Sequence, residues 1–365
     1  MSDVCSDVSS DVCSEFATEF ATEFATEFAT EFATEFATNH PMNQIAHYAV
    51  IGHPVAHSKS PQIHAEFARL TGQHMDYQRL LAPLDGFEST VQGFVAGGGR
   101  GLNVTLPFKQ QAWAMLALTS APSSALTAAS TVASGTARLT PRAAAAEAVN
   151  TLHFGLDGTV LGDNTDGPGL VRDLSHNLGF ALSGRRVLLL GAGGAARGVI
   201  QPLLAAGVRS LHVANRDAAR AEALVMQLRA SLPESLPESP PESLLESLPK
   251  PGATLAAEPP LHALALADLA GAAAQPFDLI INATSASLSG VSLALPPSLF
   301  RDCALAYDMM YGAPAEGFLS LARANGAAAT ADGLGMLIEQ AAESFLLWRG
   351  VRPPTASVFA LLRSV

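Results

Sequence analysis

The stretch NVTLPFK (103–109) ends on one of only three lysines in a chain of 365 residues. The other two are Lys59 and Lys250, and every remaining strongly basic position is arginine. The two cations differ in one respect that bears on chemistry: a guanidinium keeps its proton at any ordinary pH, whereas an ammonium can be tuned to release one. Lys109 is therefore a candidate proton donor and acceptor, with chance retention of a lysine as the plain alternative. A second candidate lies upstream in HSKSP (57–61), where Ser58 and Ser60 flank Lys59 at the entrance of a predicted helix with Pro61 near its first position. Two hydroxyls and unpaired helical N–H groups suit a carboxylate; the plain alternative for Ser60 is a helix cap. His53, His57 and His64 crowd the same stretch, but Pro54 and the lack of a usual Asp, Glu or Cys ligand set around them argue against a metal site.

Other residues point to a nucleotide. RVLLLGAGGAARGVIQPLLAAG (186–207) reads as a buried strand, a glycine-rich turn and an amphipathic helix. Gly191 permits the tight turn, Gly193 lets the backbone approach a pyrophosphate, and Ala196 is small enough for the helix to pack on the strand. The next predicted strand, SLHVAN (210–215), ends on Asn215, followed by Arg216 and Arg220. An NAD enzyme places an acid at this strand end, whereas two guanidinium groups suit a 2′-phosphate, so NADP is the expected cofactor. Asp217 is the one discordant neighbour, and a helix-capping role is the reading preferred for it. Two further buried strands, within FDLIINATS (277–285) and CALAYDMMY (303–311), would bring Asn282, Thr284, Met309 and Tyr311 to the ligand end of the sheet.

The elements carrying these residues need two cores, which 365 residues with 48% hydrophobic content can supply. The formal charge of −12 is concentrated in two appendages. One is the start of the chain, with six copies of EFAT at 15–38 and only acidic charges; the other is the proline-rich stretch at 231–251. The remainder is balanced, which speaks against a nucleic-acid or membrane-surface binder. Residues 1–43 read as a low-complexity, disordered tail, and a small-residue stretch near 117–137 and the one at 231–251 as looped-out insertions. Three cysteines, no basic and apolar leader, and no long apolar run suggest a reducing, cytoplasmic setting.

Taken in order, AHSKSP, NVTLPFK, AVNT, GDNTDG, GAGGAARG, NATS, YDMMY and ADGLGMLIEQAA resemble the shikimate dehydrogenase family, from Tyr48 to Val351. The resemblance implies an α/β substrate-binding unit formed by 44–165 and 333–365. It also implies a Rossmann-like NADP unit at 166–332, a cleft between the two, and C-terminal helices returning to the first. It implies reversible NADPH-dependent reduction of 3-dehydroshikimate to shikimate, with a small molecule as the sole expected partner and a monomer or homodimer as the assembly. Lys109 and Asp166 would form the catalytic pair. Ser58, Ser60 and Tyr311 would hold the substrate carboxylate, and Asn103, Thr105, Asn150 and Gln340 the ring hydroxyls. Gly191, Ala192, Gly193, Gly194, Ala195, Asn215, Arg216, Arg220, Met309 and Gly333 would hold NADP. Asp217 and the stretch near 117–137 depart from the family pattern. A quinate-accepting, NAD-using enzyme and a non-catalytic ligand sensor are the alternatives.

Overall fold

A computed structural model describes residues 45–119, 136–231, 260–272, 275–284 and 293–363. The EFAT tail, most of the small-residue stretch near 117–137 and nearly all of the proline-rich stretch at 231–251 lie outside the described residues. The chain begins with β1 (Ala46–Gly52), α1 (Ser60–Thr71), β2 (Met75–Leu81), α2 (Phe87–Ala96), β3 (Gly99–Val104) and α3 (Lys109–Thr119). It continues through β4 (Ala137–Leu139), α4 (Pro141–Ala146), β5 (Thr151–Phe154), β6 (Val160–Asp163) and α5 (Asp166–Arg172), which runs on into a π-helical turn, Asp173–Asn177. Then come β7 (Arg186–Leu190), α6 (Gly194–Ala205), β8 (Ser210–Asn215), α7 (Ala218–Ser231), β9 (Leu261–Ala265), α8 (Leu269–Ala272) and β10 (Leu279–Asn282). The last elements are β11 (Leu305–Asp308), α9 (Ala313–Ala324), β12 (Thr330–Ala331), α10 (Leu334–Arg349) and α11 (Ala356–Arg363).

Two six-stranded sheets result. The second has the order β12-β11-β10-β7-β8-β9 and is parallel throughout. Reading from β9, this is the doubly wound arrangement in which the chain reverses direction between β7 and β10. Such a sheet is covered on both faces, which is why its strands are continuous apolar runs. Alternation along β7 divides them: Val187 and Leu189 face Val199, Ile200 and Leu203 of α6, while Leu188 and Leu190 join Phe277, Ile280 and Phe318 on the other face.

The first sheet has the order β2-β1-β3-β5-β6-β4, with β5 antiparallel to both its neighbours. Its strands β5 and β6 are four residues each and buried along their whole length. Helix α10 returns to this sheet. Ile338, Ala341, Ala342 and Phe345 pack on Ile63 and Phe67 of α1, and the Trp348 ring stacks on Tyr48 of β1 at 4.7 Å. The same helix lies against α5, where Gly169 makes the approach possible. A Cβ on Gly169 would lie 2.7 Å from the Gln340 backbone nitrogen, closer than packed atoms tolerate.

Candidate active site

Lys109 is the first residue of α3 and Asp166 the first of α5. The ammonium and one carboxylate oxygen are 2.6 Å apart, with the side chains 23% and 9% exposed. The second oxygen of Asp166 accepts from Asn150 Nδ2 at 2.9 Å, so neither oxygen is left without a donor. Two backbone bonds fix the bases of these side chains. Val149 N donates to Lys109 O at 2.9 Å, and Asp166 N donates to Asn164 Oδ1 at 3.2 Å.

Beneath the pair lies a buried polar network. Asn150 Nδ2 reaches Thr165 Oγ1 and Gln340 Oε1, at 3.0 and 3.3 Å, while Asn150 Oδ1 accepts from Thr165 N at 2.8 Å. Asn103 Nδ2 donates to Ser344 Oγ at 2.9 Å, and Ser344 Oγ lies 2.8 Å from Thr151 Oγ1. Strand β3, the AVNT turn, the start of α5 and helix α10 are thus joined by side chains whose polar groups satisfy one another. In a low-dielectric interior such a network holds its members rigidly. Thr151, Thr165 and Ser344 were not singled out from sequence. Thr151 and Thr165 stood inside recognised motifs, and Ser344 lies four residues after Gln340, on the same helical face.

Ser58 and Ser60 also meet. Ser58 Oγ donates to Ser60 Oγ at 3.1 Å, and Arg79 holds the Ser58 carbonyl with two N–H groups at 2.6 and 3.0 Å. Ser60 is the first residue of α1 rather than its cap; Lys59 occupies the cap position and makes no capping bond. Tyr77, half-buried on β2, donates to Asn103 Oδ1 at 2.7 Å and stacks on His64 with centroids 4.2 Å apart. Burial pushes the Tyr77 phenol well above its ordinary value, with a bond to Ser60 opposing the shift. Tyr77 therefore links the serines to Asn103, and nothing in its sequence context distinguished it. Thr105 lies just past β3, its N–H bound to Ile51 O at 3.0 Å. Tyr311 is half-buried beyond β11, where burial raises its phenol; among the described residues no hydrogen bond joins it to the serine pair.

The glycine turn lies at the point where the second sheet reverses its strand order. Gly191 has φ of +109°, and a Cβ on it would come within 3.2 Å of the Ala283 backbone after β10. Gly193 occupies the cap position of α6 with no side-chain cap, and a Cβ on Gly193 or Gly194 would meet nothing within 4 Å. Open space in front of uncapped helical N–H groups fits a dinucleotide pyrophosphate. Ala192 and Ala195 lie in the same turn. Arg216 and Arg220 are exposed past the end of β8, in the place where a charged group beyond the ribose would be met. Asp217 precedes α7, with its carboxylate 3.5 Å from Arg220 Nε and its carbonyl accepting from Asn215 Nδ2 at 3.0 Å. Met309 and Gly333 are in contact, since a Cβ on Gly333 would lie 2.3 Å from Met309 O. Asn282 departs from the expectation that it faces a ligand. It is fully buried, donates to Asp308 at 2.8 Å and accepts from Thr284, so it braces the ends of β10 and β11. Among the described residues no group of His, Cys, Asp or Glu is arranged to hold a metal ion.

A doubly wound parallel sheet beside a second α/β sheet, with a lysine–carboxylate pair where the chain passes between them, places the protein in the two-sheet α/β class with a Rossmann-like half. Family models for the shikimate dehydrogenase substrate binding domain, shikimate / quinate 5-dehydrogenase and the shikimate 5′-dehydrogenase C-terminal domain match residues 50–132, 173–240 and 333–362. A shikimate dehydrogenase (NADP(+)) of Aromatoleum aromaticum is 52% identical over 319 residues, covering 87% of this chain and 97% of the relative. The chain belongs to the shikimate dehydrogenase family. Among solved structures, an Ael1 enzyme from Pseudomonas putida superposes with a TM-score of 0.70 at 40% identity, covering 87% of this chain and 98% of that one. The shikimate 5-dehydrogenase of Thermus thermophilus, solved with NADP(H) and shikimate, superposes with a TM-score of 0.65 at 28% identity, over 88% of this chain and 99% of that one.

Proposed function

We propose that this chain catalyses the reversible NADPH-dependent reduction of 3-dehydroshikimate to shikimate, a step towards aromatic amino acids. Family membership supports the reaction, and the observation that carries its assignment to residues is the 2.6 Å contact between Lys109 and Asp166. Gly191, Ala192, Gly193, Gly194 and Ala195 of the glycine turn, with Asn215, Arg216, Arg220, Met309 and Gly333, would hold NADP, which would supply or receive the hydride. Lys109 donates a proton to the substrate oxygen during reduction and takes it back during oxidation. Asp166 holds the ammonium on one oxygen and is itself held by Asn150 on the other. Ser58, Ser60 and Tyr311 receive the substrate carboxylate, while Asn103, Thr105, Asn150 and Gln340 orient the ring hydroxyls.

The substrate-binding unit is 44–165 with 333–365, and the NADP unit is 166–332. The enzyme is cytoplasmic, a monomer or homodimer, and acts on a small molecule rather than on nucleic acid or a membrane. The charge balance outside the appendages supports this, and no helix among the described residues is long and apolar enough to cross a bilayer. The test is absorbance at about 340 nm, the reduced-nicotinamide band, with shikimate or quinate and with NADP+ or NAD+. Shikimate with NADP+ should give the highest kcat/KM. No turnover of shikimate with either cofactor refutes the reaction, and a preference for NAD+ refutes the cofactor assignment.

A further inference from the structure

Glu147 follows α4 directly, in a backbone conformation with φ of +47°. This is the left-handed end of a helix, where glycine is the usual occupant because a Cβ is disfavoured. No local contact of the side chain accounts for a glutamate there. Its carboxylate instead leaves the first sheet and meets two residues of the nucleotide half. One oxygen is 3.0 Å from Arg197 Nη1 on α6, an ion pair by distance that is not aligned as a hydrogen bond, and the other accepts from Gln227 Nε2 on α7. The Arg197 and Glu147 side chains are only 16% and 30% exposed, so water weakens their attraction less than it does that of surface pairs.

The location gives this contact leverage. Arg197 lies in the first turn of α6, the helix whose N-terminus the glycine turn leaves open. Three residues after Glu147 is Asn150, which donates to Asp166. The contact therefore connects the helix that would hold the cofactor to the segment that holds the catalytic carboxylate. The chain itself crosses between the halves at α5, where Gly167 lies against Pro202 and Gly198 of α6. Glu147 fastens a second element, α4, to the same helix.

We propose that Glu147 is a positioning residue: by clasping Arg197 and Gln227 it sets the orientation of α6 relative to the Lys109–Asp166 pair, and so the alignment of the two reacting ligands. This rests on the function proposed above. Glu147→Gly separates the role from folding, because glycine adopts the required backbone without strain and only the clasp is lost. Its melting temperature should stay close to that of the parent, relief of the left-handed backbone offsetting the lost pair. The Kd of NADP+ alone should stay within about twofold, since its contacts lie within the nucleotide half. The kcat/KM for shikimate should fall about tenfold, the scale of a sub-ångström misalignment. Arg197→Met should show a similar loss, and the double variant no more than either single one. Hydrogen exchange, which needs no substrate, should quicken in α4 and the first turns of α6. A kcat/KM for Glu147→Gly within twofold of the parent, additive losses, or unchanged exchange overturns the clasp. If the parent itself fails to turn over shikimate, the reaction is refuted, and the exchange result alone decides the clasp.

Discussion

His64 makes the substrate side of this protein acid-sensitive in a way that is calculable. The ring is fully buried against Tyr77, Phe67, Phe345 and Trp348, and among the described residues neither nitrogen has a partner at good hydrogen-bond geometry. Burial pulls its pKa down to about 3, with the neighbouring Asn103 amide opposing the shift. In the unfolded chain the same imidazole takes a proton near pH 6.5. Its contribution to stability is thus complete above about pH 6.5 and is lost as the pH falls towards the folded value. The loss is about 1.4 kcal/mol per pH unit, or about 2 kcal/mol between pH 6.5 and 5. His64→Phe keeps an aromatic ring beside Tyr77 and removes the titration. The larger ring costs about 1–3 kcal/mol of overpacking, but that cost does not depend on pH. Urea unfolding followed by tryptophan fluorescence suits the measurement, because the chain has two tryptophans, Trp113 on α3 and Trp348 on α10, and both pack around the first sheet. The difference in unfolding free energy between parent and variant should shift in favour of the variant by about 2 kcal/mol from pH 6.5 to 5. A difference that is flat across that window refutes the reasoning.

Lys109→Ala should lower kcat by about 10²–10⁴, the range for a lost general acid, with a much smaller change in shikimate Kd. Lys109→Arg, which keeps the charge but not the exchangeable proton, should rescue binding rather than turnover, and parent-like kcat in either variant removes the assigned role. Asp163 is 1% exposed and bound by Arg142, Thr140 and the Asn164 N–H. Burial opposes its charge, yet the Arg142 charge and these bonds together hold its carboxyl below the usual carboxylate range. Asp163→Asn should therefore cost about 3 kcal/mol at pH 7, the low end for a broken buried pair because Arg142 is partly exposed. That difference should shrink as the pH falls below about 4, where the carboxyl of the unfolded chain takes up a proton while the folded one still resists it, as denaturant melts at pH 7 and pH 3 would show. Gly169→Ala forces α10 away from α5 and carries Gln340 from Asn150. KM for shikimate should rise several-fold with the Kd of NADPH alone unchanged, measured by steady-state kinetics and NADPH fluorescence.

The nucleotide half was the more legible in sequence, and burial explains why. A parallel strand covered on both faces has to be apolar throughout, so RVLLL announced itself, and SLHVAN coincides with β8 to the residue. The first sheet was harder to read. Strands β5 and β6 are short and mix Thr, His and Asp with apolar residues, because Thr151 and Asp163 find buried partners on other elements rather than water. At the site, Lys109 and Asp166 are 57 residues apart, and only motif order suggested that they meet at all. Tyr77, His64 and Glu147 carried no local signal. Their surroundings are built by residues distant in sequence, and stacking and ion pairing between elements leave no spacing to read. Ser344 is the exception, since its four-residue step from Gln340 was available on a helical face.

The bond from Asn103 to Ser344 joins residues 241 positions apart. The first strands leave the ribosome well before α10, which carries the hydroxyl and amide that complete their polar network. A polypeptide still emerging from the ribosome holds its serines and its lysine but lacks Gln340 and Ser344, and its β3 asparagine has lost a buried partner. Any product terminated before Leu334 lacks both groups and leaves the Asn103 amide short of a partner in a polar interior open to water.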